Sequence, residues 1–187
     1  MPLNSFTLID KKILTSDIYE LVFQANEKFD FLAGQFITFI LPNIWGRAYS
    51  ILKTQWNKVT LIIKSRSSSN WGRGWSEYIC KREIWDELKW TNPAGRFLLQ
   101  KNNKNKLFIW TWTGFVPLYN QIIHSLEQNQ NCNLELLFWA RTLKDLFYLT
   151  ELEKLKQENN NFNYKVYLSR EKNTQHNTGY VTDFLSK

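Results

Sequence analysis

Ile109-Trp110-Thr111-Trp112-Thr113-Gly114-Phe115-Val116-Pro117 joins a short apolar stretch, Leu107-Phe108-Ile109, to a segment with helical spacing, Val116 to Leu126. An apolar strand that turns directly into an amphipathic helix is the opening of a βαβ unit. With glycine at positions 110 and 112 the turn reads Gly-Thr-Gly-Thr-Gly. Such a loop lets backbone N–H groups approach a pyrophosphate at a helix N-terminus. The same exchange repairs other places. Trp71 to Trp75 becomes Gly-Gly-Arg-Gly-Gly, Trp90 restores a glycine before Thr91-Asn92-Pro93-Ala94-Gly95, and Trp139 becomes a strand-end glycine before Ala140-Arg141. Trp45 and Trp56 have turn-like neighbours but no sharp motif. The chain holds nine tryptophans and seven glycines in 187 residues, about half the usual glycine share of roughly 7 %. Counted as glycine, the nine make that share ordinary. The expectation is that the gene encodes glycine by UGA at these positions. The competing reading is an aromatic-rich core, which would set indoles at apolar periodic positions rather than in turns.

Working outward, the residues before about Phe97 form short apolar or alternating runs. Phe6 to Leu14, Ile18 to Gln24, Phe36 to Leu41, Ala48 to Lys53 and Val59 to Lys64 are separated by turn residues. That spacing is expected of a barrel or sandwich, interrupted by one short helix over roughly Ser76 to Lys81, and the expectation taken forward is a six-stranded antiparallel barrel. Gln100 to Lys106 is polar, and the domain boundary falls there, between residues 1–100 and 106–187. Beyond it strands alternate with helices: Leu134 to Phe138 and Tyr164 to Leu168 extended, Leu143 to Leu155 helical, and a helix beginning over Tyr180 to Leu185. This order predicts a parallel sheet in a β + α/β chain.

Composition narrows the function classes. No apolar run approaches the 18 or so residues a membrane helix needs, and Met1-Pro2-Leu3-Asn4-Ser5 has no secretion signal. Two cysteines, Cys80 and Cys132, fit a reducing cytoplasm and fall short of the roughly four thiolates of an iron–sulfur cluster. His124 and His176, the only histidines, lack ligand-spaced partners for a metal. His124 reads as a surface residue and Cys132 as a loop thiol. The net charge of +7 suits nucleic acid, an acidic partner or a phosphorylated cofactor.

Four ordered motifs sharpen this: Arg47-Ala48-Tyr49-Ser50, then Gly72-Arg73-Gly74-Trp75-Ser76, Asn92-Pro93-Ala94-Gly95-Arg96-Phe97, and the turn ending at Pro117. Together they resemble the ferredoxin–NADP reductase family of flavin reductases, which joins a flavin-binding barrel to a nucleotide-binding α/β domain. The resemblance implies that Arg47 holds a flavin phosphate, a task that suits a guanidinium. Tyr49 would pack on the isoalloxazine ring and Ser50 lie near flavin N5, making these two the catalytic candidates, with Ala48, between Arg47 and Tyr49, a further cofactor-binding residue. Gly72, Gly74 and Ser76 would receive a pyrophosphate at a helix start, which favours FAD over FMN. Ser76 also suits a plain N-cap, and Lys64 a solvated strand-end charge. Thr111, Thr113 and Gly114 would meet NADPH or NADH at the carboxyl end of a strand. Trp139-Ala140-Arg141 with Asp145-Leu146-Phe147-Tyr148 resembles the element near the adenosine, and Ser169 and Arg170 suit a ribose 2′-phosphate.

The family's Cys-Gly-x-x-x-Met strand is not found before Lys187, which reads as an incomplete C-terminal domain. The leading expectation is an NAD(P)H-dependent flavoprotein reductase passing electrons to a separate acceptor: a ferredoxin, another subunit or a small molecule. A non-catalytic flavin-binding or regulatory remnant is the first alternative. The second is a basic barrel on single-stranded nucleic acid, disfavoured because the lysines lack an aromatic-interleaved stripe.

Overall fold

The computed structural model describes residues 3–41, 44–67, 73–100, 102–128, 132–172 and 174–182. Six strands close into a barrel: β1 (Leu3–Ile13), β2 (Ile18–Ala25), β3 (Phe36–Leu41), β4 (Ile44–Gln55), β5 (Lys58–Lys64) and β6 (Glu87–Thr91). Their spatial order is β1-β2-β5-β4-β3-β6, antiparallel throughout. Period-two alternation places Phe6, Leu8, Leu21, Phe23, Ile37 and Phe39 inside, each side chain contributing about 1.5–3 kcal/mol by burial. Register shifts at Leu8/Asp10, Phe39/Leu41 and Ile51/Lys53 bend the strands as closure requires.

The second half is a four-stranded parallel sheet in the order β10-β9-β8-β7. Its elements run β7 (Lys106–Thr111), α2 (Phe115–Glu127), β8 (Leu134–Ala140), α3 (Leu149–Glu158), β9 (Phe162–Leu168) and β10 (Asn177–Thr178). One further helix, α1 (Trp75–Cys80), lies between β5 and β6.

β5 explains how the halves join. Its residues 59–63 are all buried, because alternate side chains enter different cores. Val59, Leu61 and Ile63 fill the barrel, while Ile62, with Ile18 and Leu52, packs against Phe115 and Phe138 of the sheet half. Three polar contacts tie the same seam. Asn120 Nδ2 donates to the Leu52 carbonyl at 2.6 Å, Gln121 Nε2 to the Phe97 carbonyl at 2.7 Å, and the Tyr148 hydroxyl to Glu20.

Several expectations need correction. Residues 143–155 are not one helix. Thr142 and Asp145 form a capping box around a 3-10 turn, Leu143–Asp145, and Tyr148 at φ 62 restarts the chain as α3. Trp90 and Trp110 lie inside β6 and β7 rather than in turns, and Trp139 is the second-last residue of β8, at a strand end as expected. Trp90 and Trp110 sit at buried alternate positions, as core residues would. The helix expected from Tyr180 runs into residues 183–185, outside the described residues. β10 was missed because two polar residues carry no strand pattern.

Candidate functional site

β4 presents Arg47 to Ser50 opposite Phe39 to Phe36 of β3. Arg47, Tyr49 and Ser50 are half-buried and Ala48 is exposed. Tyr49 meets Phe39 edge-on with centroids 5.7 Å apart and packs against the barrel core, as do Trp75 and Tyr78 of α1. Burial, reinforced by Cys80 and opposed by Arg47, pushes the Tyr49 hydroxyl up to about 12. It therefore stays neutral and able to donate at neutral pH. Ser50 pairs with Phe36, and Phe36 is bridged to Ala94 by backbone bonds of 2.9 and 2.8 Å. The Asn92-Pro93-Ala94-Gly95 segment thus lies one strand position from Ser50. Gly95, at φ 114, could not take a Cβ without crowding the Phe36 ring.

Gly74 (φ 74) is the residue that starts α1. Ser76 is not the N-cap. It lies inside the helix, where its Oγ accepts a hydrogen bond from the Arg66 backbone N–H at 2.9 Å. Gly72 and Trp71 lie outside the described residues, as do the side chains of Trp45 and Trp112. Lys64 is no solvated charge: it pairs with Asp17 at 2.9 Å with its side chain mostly covered. Cys132 is buried, its Sγ 3.5 Å from Lys106 Nζ. His124 is exposed in the last turn of α2.

The second cluster gathers at the carboxyl ends of the parallel strands. Thr111 ends β7, and Thr113 and Gly114 lie in a 3-10 turn, Trp112–Gly114, that leads into α2. A cavity of about 300 Å³ there is lined by Ile109, Trp110, Thr111, Gly114, Trp139 and Val181. Arg141 follows β8 and Ser169 and Arg170 follow β9. The backbone joins them, Ser169 N–H donating to Ala140 and Arg170 N–H to Arg141 at 3.1 and 2.9 Å. The 3-10 turn touches β5 and α2 touches β4, so the turn and helix of the nucleotide half lie against the barrel. Glu20, Asn120 and Gln121, which hold the seam between the halves, carried no signal in the sequence, because each acts on a partner more than 20 positions away.

A closed antiparallel barrel feeding a parallel sheet, with polar residues along the seam, defines an oxidoreductase-type chain: an FAD-binding-type barrel plus an NAD(P)-binding domain. Residues 108–187 match the family model described as the oxidoreductase NAD-binding domain. Ferredoxin–NADP reductase B of Sorangium cellulosum is 30% identical over 169 residues, which is 87% of this chain and 68% of that protein. The chain belongs to the ferredoxin–NADP reductase family. One component of the Na(+)-translocating NADH-quinone reductase of Marinomonas sp. is 29% identical over 59% of this chain, and the match spans only 28% of that component. Among solved structures, an Amycolatopsis cytochrome P450 reductase superposes with TM-score 0.86 at 22% identity, covering 98% of this chain and 57% of that one. A Plasmodium falciparum ferredoxin-NADP+ reductase with 2′P-AMP gives 0.82 at 24%, covering 98% and 78%. Among the described residues no helix is long and apolar enough to cross a membrane.

Proposed function

We propose that the chain is the flavin-binding and nucleotide-binding part of an NAD(P)H-dependent reductase. The observation that carries this is a closed antiparallel barrel packed against a parallel sheet, with Arg47 and Tyr49 on β4 of the barrel and a cavity at the carboxyl ends of β7 and β8. Residues 1–100 would hold FAD and residues 106–187 the nicotinamide nucleotide. Arg47 would pair with a flavin phosphate. Tyr49 would cover the ring, Ser50 would offer a hydroxyl beside it, and Gly74 and Ser76 would border the second phosphate. Bound FAD and NADPH or NADH supply hydride transfer, and the electrons leave to a ferredoxin, another subunit or a small molecule.

The nucleotide residues fit their role poorly, because Trp110 and Trp139 line the cavity beside Thr111 and Gly114. That crowding favours a second reading, a flavin-binding remnant without nicotinamide chemistry. Arg141, Ser169 and Arg170 would supply donors for a 2′-phosphate, the group carried by the 2′P-AMP of the Plasmodium structure. The test is reconstitution with FAD and with FMN, followed by oxidation of NADPH and of NADH with ferricyanide as acceptor. Tight FAD binding with turnover is expected. Failure to retain either flavin would end the reductase reading, and flavin retention without oxidation would leave only the remnant.

A further inference from the structure

The tryptophans occupy positions shaped for a smaller residue, and three independent kinds of observation say so. The first is backbone conformation. Among the described residues three non-glycine residues have positive φ, and two of them are Trp56 (φ 55) and Trp85 (φ 79). Gln55 pairs with Lys58 across β4 and β5, so Trp56-Asn57 is a two-residue hairpin loop. Positive φ at its first residue alone is the type II′ pattern, where glycine belongs. Asp86 N–H donates to the Glu83 carbonyl at 3.0 Å, which makes Trp85 the third residue of a four-residue turn. A φ of 79 there is that of a type II turn, again a glycine position. Both indoles are exposed, at 66% and 73%, so burial does not offset the strain.

The second is unmet hydrogen bonding. The indole N–H groups of Trp75, Trp90, Trp110 and Trp139 are buried with no acceptor, four of the five such side-chain atoms among the described residues. A buried tryptophan normally finds a partner for this group, and leaving it unpaired is costly. The third is crowding. Ring centroids are 3.6 Å apart for Phe6–Trp90, 4.1 Å for Trp110–Phe115 and 4.2 Å for Trp110–Phe138. Aromatic pairs ordinarily stand about 4.5–7 Å apart. Every other ring pair among the described residues keeps that distance, from Phe115–Tyr119 at 4.7 Å to Phe162–Tyr164 at 6.5 Å. An aromatic core accounts for the buried alternation of Trp90 and Trp110, but not for their crowding or their orphaned N–H groups. Glycine inside a strand marks close approach of other groups to the backbone, which accounts for both.

We infer that the functional polypeptide carries glycine at positions 56, 75, 85, 90, 110 and 139, and by the same codon at 45, 71 and 112. The consequence for function rests on the reductase reading. Trp110 and Trp139 stand on adjacent strands, Thr111 pairing with Trp139, and Trp139 stacks on Tyr180 with centroids 5.7 Å apart. Glycine at 110 and 139 would open the cavity at the strand ends to a dinucleotide phosphate. The tryptophan form blocks its own nucleotide site.

Two experiments separate these claims. Trp56→Gly and Trp85→Gly are compared with Trp56→Ala and Trp85→Ala by thermal unfolding. Alanine also removes the indole but keeps the strain of positive φ. Each glycine variant is expected to melt about 2–4 °C above its alanine counterpart; equal or higher melting of both alanine variants overturns the inference. The chain with glycine at all nine positions is then compared with the tryptophan chain for melting temperature and for NADPH and NADH binding by calorimetry. A higher melting temperature and at least tenfold tighter binding are expected. Higher stability without binding leaves the glycine inference standing and removes the nucleotide reading. Lower stability of the nine-glycine chain overturns the glycine inference, whatever it binds.

Discussion

Arg47 is the residue on which the flavin assignment turns. A guanidinium bonded to a phosphate makes charge-assisted, often bidentate contacts, so Arg47→Ala is expected to weaken FAD binding tenfold or more, about 1.4 kcal/mol. Arg47→Lys should fall between, since an ammonium keeps the charge and loses the fork. Fluorescence titration with FAD reads both, and unchanged affinity in the alanine variant would release Arg47 from the role. At this scale much was legible. Arg47, Tyr49 and Ser50 are recognisable as a contiguous motif, and Trp110 and Trp139 as residues out of place. Trp85 was not singled out, because its neighbours Ile84 and Asp86 spell no turn motif and only its φ of 79 marks it.

At the scale of elements, the seam between α2 and β4 depends on Asn120. Its Nδ2 is the donor to the Leu52 carbonyl at 2.6 Å, in a buried setting. Asn120→Ala leaves that carbonyl unpaired, at a cost of about 1–3 kcal/mol. For a chain of this size the melting temperature should fall by about 2–4 °C per kcal/mol, which calorimetry will show. Tyr148→Phe removes the bond to Glu20 that links the start of α3 to β2. A hydrogen bond to a charged acceptor contributes about 1.5–3 kcal/mol, so this variant should destabilise by a similar amount, read by urea unfolding. The positions of β1 to β5 and β7 to β9 were legible to within a few residues, because period-two alternation follows directly from burial on one face, but β6 was not, since Trp90 was read as a glycine before a loop. The break of 143–155 into a 3-10 turn and α3 was not. Leu143, Leu146, Leu149 and Leu152 keep helical spacing while Tyr148 leaves the helical conformation to reach the barrel.

For the whole molecule the clearest expectation concerns alkaline pH. Burial pushes the hydroxyls of Tyr49 and Tyr119 up to about 12 from 10.0, and Tyr148 is raised as well, by burial and by its bond to Glu20. Between those values the unfolded chain releases protons that the folded chain retains, so stability falls as pH rises. Below about pH 10 the contribution is fully present; between 10 and 12 it is lost. Unfolding followed by circular dichroism should coincide with a rise in tyrosinate absorbance. Ionisation of all eight tyrosines near pH 10 while the fold persists would contradict the buried seam, where Tyr119 and Tyr148 meet edge-on at 5.4 Å.

The sequence by itself determined the succession of barrel and parallel sheet, the family motifs on β4 and at the end of β7, and the anomaly of the tryptophans. Each of these is local: alternation, turn chemistry and composition are read within a few neighbouring residues. Tertiary structure alone decided how the halves meet, through Glu20 with Tyr148 and Leu52 with Asn120, and why β5 is buried on both faces. It also decided which indoles are crowded, which are orphaned and which sit at positive φ. Those properties belong to contacts and dihedral angles set by residues far apart in the chain, and one-dimensional order does not encode them visibly.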